Sequence, residues 1–229
     1  MKQSQHFLLC LFVSCSAITN VMGQTSGTCG DSLTWVLSPD NTTLTISGSG
    51  AMSDFDTFFK NAPWYAQRAS ITTVQLDEGI TYLGDYAFLG CSALTEINIP
   101  QSVEALGCAF VSSGLTSITI PERIKKISSK SPFYDCNRLT AVEWNATDCT
   151  GGGCFQNNKS ITSVRIGENV KIIPEKLFSG CSALTEIVIP DNVNSIGASA
   201  FENTAKTEVT IPKSISYIAQ SAFNNNKEL

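Results

Sequence analysis

Nine cysteines, twenty acidic side chains and a single histidine are the groups of this chain that could do chemistry. The histidine is His6, in an amino-terminal stretch where Lys2 precedes the apolar run Phe7 to Val13 and small residues follow. That layout is a secretory leader rather than a membrane span. Cleavage before Gln24, with Val21 and Gly23 meeting the small-residue rule, removes residues 1–23 and leaves no histidine. Serine and cysteine nucleophiles that need a histidine base, and the usual histidine-containing zinc sites, are then excluded. An alternative leader, Phe12-Val13-Ser14-Cys15, is a poor lipobox that would leave a lipid on Cys15. Both readings place the product outside the cell, secreted or at the cell surface, with no further apolar run long enough for a span.

Seven cysteines remain after cleavage, so at least one is unpaired. Cys29 and Cys108 have no obvious partner, and no CxxC occurs. Cys149 and Cys154 could close a small disulfide in an oxidising compartment. They bracket Gly151-Gly152-Gly153, which is no phosphate loop because Cys154 and Phe155 stand where a lysine and a hydroxyl residue are required. Carboxylates alone make a weak case for an enzyme, since nothing near Glu96, Glu143, Glu186 or Glu208 would raise one of them selectively. No cofactor or metal is expected. The mature chain carries 14 basic against 20 acidic residues, net −6, which argues against nucleic acid as a partner.

The elements that position these groups repeat. GCSALTEINIP at Gly90 to Pro100 returns as GCSALTEIVIP at Gly180 to Pro190, ninety residues later. Phenylalanine recurs at Phe88, Phe110, Phe133, Phe155, Phe178, Phe201 and Phe223, in steps of 22 or 23 residues. Three places after each stands a small or amide-bearing residue: Cys91, Ser113, Cys136, Asn158, Cys181, Thr204 and Asn226. A fixed period in this range is the signature of a solenoid. Within each unit two apolar residues alternate with polar ones, as in Val74 and Leu76, Ile118 and Ile120, Val164 and Ile166. This predicts one short parallel strand per turn. Threonine precedes every strand, from Thr72 to Thr207, suggesting a hydroxyl ladder. A single unit buries too little apolar surface to offset its ordering entropy, so only stacking stabilises it. The phenylalanines are then expected to form a buried spine. Cys91, Cys136 and Cys181 share a column two turns apart, about 9 to 10 Å, too far for disulfides.

The unit F-x-G-C-S-A-L-T-E-I-x-I-P-x-x-V-x-x-I-G, clearest at Phe178 to Gly197, resembles the BspA-like subclass of bacterial leucine-rich repeats. The likeness covers residues 71–229 as seven repeats, and Cys29 to Phe55 is similar to the lead-in such proteins carry. It implies a leucine-rich-repeat solenoid and adhesion to extracellular proteins or to other cells. Residues 24–70 lack the period and read as a cap: a hairpin through Leu33 to Ile46, then a short helix over Asn61 to Ser70. Phe55, Phe58, Phe59, Trp35 and Trp64 supply its aromatic mass. Asn145 to Cys154 replaces the second apolar pair of the fourth unit, which makes that turn irregular.

A binding surface is what this fold offers. Two outward columns on the strands contain the candidate contacts Gln75, Glu96, Asn98, Thr119, Glu143, Arg165 and Glu186. The surface is polar and lightly acidic without an aromatic anchor, so a solvated face and a ligand site both fit it. The reading is an exported module that binds an extracellular protein or glycan. The alternative is a structural spacer in a larger surface assembly. Leu229 holds the first place of an eighth unit. Either the seventh turn is covered by its polar Asn224 to Glu228 tail and a partner, with edge-to-edge contact through the open last turn, or the chain is one piece of a longer protein.

Overall fold

The computed structural model describes residues 25–149, 151–205 and 209–226. The leader with Cys15, Thr207 and Glu208 of the seventh unit, and the tail through Leu229 lie outside the described residues. Alternating apolar residues build the start: β1 (Ser26–Thr28), β2 (Leu33–Leu37) and β3 (Thr43–Ala51) form an antiparallel meander. Leu33, Trp35 and Leu37 of β2, with Leu44 and Ile46 of β3, face the core. The hairpin turn is tied by Asp40, whose carboxylate accepts the Ser38 hydroxyl and the Thr42 N–H.

β3 then serves two ladders at once. Its first half pairs in parallel with β4 (Thr73–Leu76), and its second half, past a register shift at Gly50/Ala51, pairs with β5 (Gly79–Leu83). Each later turn can add one strand to each column. In the second column β5 is followed by β6 (Ala105–Leu106) and, from the third unit, β8 (Lys126–Ile127). In the first column β7 (Ser117–Ile120), β9 (Ala141–Trp144), β10 (Ser163–Ile166) and β12 (Glu186–Val188) form a four-stranded parallel sheet. The second column resumes with β11 (Ile172–Ile173), β13 (Ser195–Ile196) and β14 (Tyr217–Ile218).

Each column is interrupted once among the described residues. Residues 94–100 of the second unit join no ladder, so β4 and β7 are not linked through them. The fourth unit contributes no second-column strand, because Asn145 to Cys154 runs where β8 and β11 would otherwise be bridged. Gly151 fits that detour because it approaches the Ile127 carbonyl oxygen to where a Cβ would lie 2.8 Å away, at a φ of 121°.

Between the columns runs the expected spine. From Phe88 to Phe223 each phenylalanine stacks on the next, at centroid spacings of 4.9 to 5.9 Å and interplanar angles of 6° to 19°. The spacing follows the strand separation of about 4.8 Å. Trp64 extends the stack into the cap, 6.3 Å from Phe88, with its indole N–H donating to the Ala87 carbonyl at 2.8 Å. Trp35 and Phe55 pack edge-on against Trp64.

The polar column beside the spine ties several turns to the one before. The Cys136 thiol donates to the Phe110 carbonyl, the Cys181 thiol to that of Phe155, and the Asn226 amide to that of Phe201, at 3.0 to 3.2 Å. A donor short enough to reach one turn back explains the small or amide-bearing residue there. Backbone strain explains another column. The residue two places after every phenylalanine has positive φ: Gly90, Ser112, Asp135, Asn157, Gly180, Asn203 and Asn225. Glycine, asparagine and aspartate tolerate that conformation best.

Three expectations change in detail. The hydroxyls of Thr116, Thr140 and Thr162 donate not to one another but to the backbone carbonyl of the preceding turn's threonine, at 3.2 to 3.3 Å. The helix over Asn61 to Ser70 contracts to a single 3₁₀ turn, Tyr65–Gln67. Ten residues are too few to hold a helix without a packed face, and Trp64 is the segment's one large anchor. Phe58 and Phe59 are not cap core at all, being 83% and 97% exposed.

Phe133→Ala, at the middle of the spine, should cost about 3 to 5 kcal/mol in denaturant titration. Gly180→Ala should cost about 1 to 2 kcal/mol, because φ is 76° there and its Cβ would collide with the Asn157 side-chain oxygen.

Candidate functional site

Parallel pairing without register shifts sets the first column's outward residues in file. Ser117, Ala141, Ser163 and Glu186 lie side by side, and so do Thr119, Glu143, Arg165 and Val188. Period two puts all of these on one face while Ile118, Val142, Val164 and Ile187 point inward. Three shallow depressions run along this face. The first, about 480 Å³, is bordered by Thr72 to Val74, Glu96 to Asn98 and Ser117 to Thr119. The second, about 300 Å³, shares Ser117 to Thr119 and continues over Ala141 to Glu143 and Ser163 to Arg165. The third, about 290 Å³, shares Val164 and Arg165 and ends at Glu168, Val188 and Pro190. Together they form a trough crossing the strands from the first turn to the sixth.

The seven candidate residues all stand on that side, unequally placed. Glu143 and Arg165 form an ion pair at 2.6 Å. Both are partly solvated, so the pair adds little stability. Thr119 sits next in the same row. Glu96 and Asn98 border the widest part of the trough, where the ladder is interrupted. Gln75 is held toward the cap, its side-chain oxygen accepting the Thr45 hydroxyl at 3.2 Å. Glu186 lies beside Ser163 in the other row, beyond the depressions. Sequence reasoning passed over Val188, which is 74% exposed at the trough's end; its place in the outward column was the available signal.

The thiols are placed otherwise. Cys154 is buried, Cys149 is half-buried, and all seven described cysteines are thiols. Burial pushes Cys91, Cys149 and Cys181 up to about 12 and Cys29 to about 11. Cys108 also rises to about 11, from burial first and then from the Asp85 carboxylate beside it. Protonated thiols of this kind are poor nucleophiles and poor metal ligands. Among the described residues no three His, Cys, Asp or Glu side chains are grouped to hold a metal ion, and no helix is long and apolar enough to cross a membrane.

A family model described as a BspA type leucine rich repeat region matches in six copies, over residues 61–149 and 107–229. The chain belongs to this family. Among solved structures, a leucine-rich repeat protein from Bacteroides ovatus is 27% identical, with a TM-score of 0.50 over 69% of this chain and 50% of its own. This BspA-type chain therefore spans half the length of that relative. A leucine rich cell surface protein from Faecalibacterium prausnitzii is 23% identical, with a TM-score of 0.46, over 90% of this chain and 53% of its own. A Treponema pallidum leucine rich repeat protein is also 23% identical, with a TM-score of 0.47, over 74% and 85% of the two chains. Comparison with curated proteins gives no match.

A thiol-specific disulfide reagent should label the native protein far more slowly at neutral pH than it labels a free thiol, since the thiolate fraction is small. Labelling should accelerate on unfolding in urea and, in the folded state, as pH approaches the raised values near 11 and 12.

Proposed function

We propose that this protein is an exported binding module, secreted or displayed at the cell surface, that adheres to an extracellular protein or glycan through the strand face and catalyses no reaction. The observation that carries the reading is the row of depressions, because each shares lining residues with the next and together they bring Glu96, Asn98, Thr119, Glu143 and Arg165 to one side. Residues there come from turns far apart in sequence yet about 4.8 Å apart in space, which suits an elongated ligand lying along the solenoid axis. Arg165 is the one residue of hot-spot type among those lining the depressions, and it is paired with Glu143. The buried, protonated thiols and the lack of histidine after Gln24 are further support for binding over catalysis.

A structural spacer is the second reading, favoured by the absence of tryptophan, tyrosine or phenylalanine from the trough's border. Within either reading, Cys149 and Cys154 are proposed to pair on export, stapling the one turn that lacks its second strand. Alkylation of the exported protein in denaturant, without reduction, followed by intact mass should then give two fewer labels than after reduction.

Replacing Glu143 and Arg165 together by alanine should weaken retention on a glycan array or on immobilised extracellular proteins by about tenfold or more, with the melting temperature unchanged. Unaltered binding would move the site to the cap or the glycine-rich loop, and no binding by the unsubstituted protein would favour the spacer.

A further inference from the structure

Phe58 and Phe59 are the most exposed large apolar side chains among the described residues, and they are adjacent. Their loop is not slack. The Asp56 carboxylate accepts the backbone N–H groups of Phe58, Phe59 and Lys60 at 2.7, 2.5 and 3.0 Å, while the Asp56 N–H donates to the Lys60 carbonyl at 2.8 Å. These bonds hold the carboxyl of Asp56 below the ordinary aspartate range, so it stays ionised and the loop stays closed at neutral pH.

The base of the loop is clamped as firmly. Asp54 accepts the Tyr82 hydroxyl at 2.6 Å and the Asp85 N–H at 2.9 Å, and the Phe55 N–H donates to the Asp85 carbonyl. The Phe55 ring is buried edge-on to Trp64, and the Lys60 ammonium lies 5.7 Å from that ring's centroid. Two rings 6.4 Å apart, tilted by 46°, are thus presented on a fixed backbone.

We infer that this loop is a preorganised docking knob for an apolar pocket with a basic rim on a partner protein. An apolar tip left in water is unfavourable. A backbone already ordered has little conformational entropy left to lose on binding, which removes one part of the cost of association. The charges around the tip select the occupant. Asp54 and Asp56 flank it, Lys60 is its one cation, and the chain is acidic overall at −5. Tips that seat in anionic membranes carry flanking cations, and this one carries anions, which complement lysine and arginine on a protein rim. The knob belongs to the cap and is independent of the strand-face reading.

The test is an array of purified extracellular proteins probed with the labelled protein, with Phe58→Ala/Phe59→Ala and with Glu143→Ala/Arg165→Ala. Expected are partners bound by the unsubstituted protein and by the strand-face variant, but at least about 30-fold more weakly by the phenylalanine variant. Their binding should also weaken as salt rises. Both variants should keep the circular dichroism and melting temperature of the parent. Any of three results overturns the inference: no arrayed protein distinguishes the phenylalanine variant; phosphatidylcholine vesicles sediment the parent but not that variant; or the parent self-associates in sedimentation and that variant does not. If the strand-face variant alone loses binding, the trough reading stands and the knob does not.

Discussion

A phenylalanine ring covered above and below by its neighbours is the interaction on which the rest of this protein depends. Each turn exposes a ring-sized apolar face that it cannot bury by itself, and the next turn's ring is the surface that covers it. The strand ladders on both sides set the rise per turn, and the rings meet at that rise. The same rise sets the distance over which Cys136, Cys181 and Asn226 reach back to the preceding turn's carbonyl. The cap follows the same rule, since Trp64 occupies the position of one more ring and Trp35 and Phe55 close it off.

Much of this was legible in the residues because a solenoid writes its geometry into a period. Phenylalanines at steps of 22 or 23 required a file of rings, and alternating apolar pairs required strands with one face outward. The outward columns followed by counting, and the register bears out four of their rungs, from Ser117 and Thr119 to Glu186 and Val188. What escaped was whatever depends on depth or on a neighbouring turn. Phe55, Phe58 and Phe59 are chemically alike, yet only Phe55 is buried, because Asp56 turns the chain outward just after it. The ladder break in the second unit was equally hidden. Residues 96–98 and 186–188 differ only at Asn98 and Val188, yet only the second set forms a strand, so the cause lies in what each segment stacks upon.

The chemistry of the molecule is distributed in keeping with that architecture. Several interior donors, among them the Cys136 and Cys181 thiols and the Asn226 amide, join one turn to the turn before, and the buried thiols are kept protonated by the same burial that packs them. Groups free to meet another molecule sit on the strand face and at the cap loop, the first polar and extended, the second apolar and compact. A repeat protein can carry two such surfaces without conflict, because each turn contacts only the turns beside it.

The positions of the two ladder interruptions also bear on how force would pass through the molecule. At the second unit the first column is open while β5, β6 and β8 run past it; at the fourth the second column is open while β7, β9 and β10 run past it. The seams are staggered like joints in brickwork, and the aromatic file crosses both. Among the described residues, a pull along the solenoid axis meets no level at which both strand ladders are interrupted together, so the load is never left to one plane of easy cleavage.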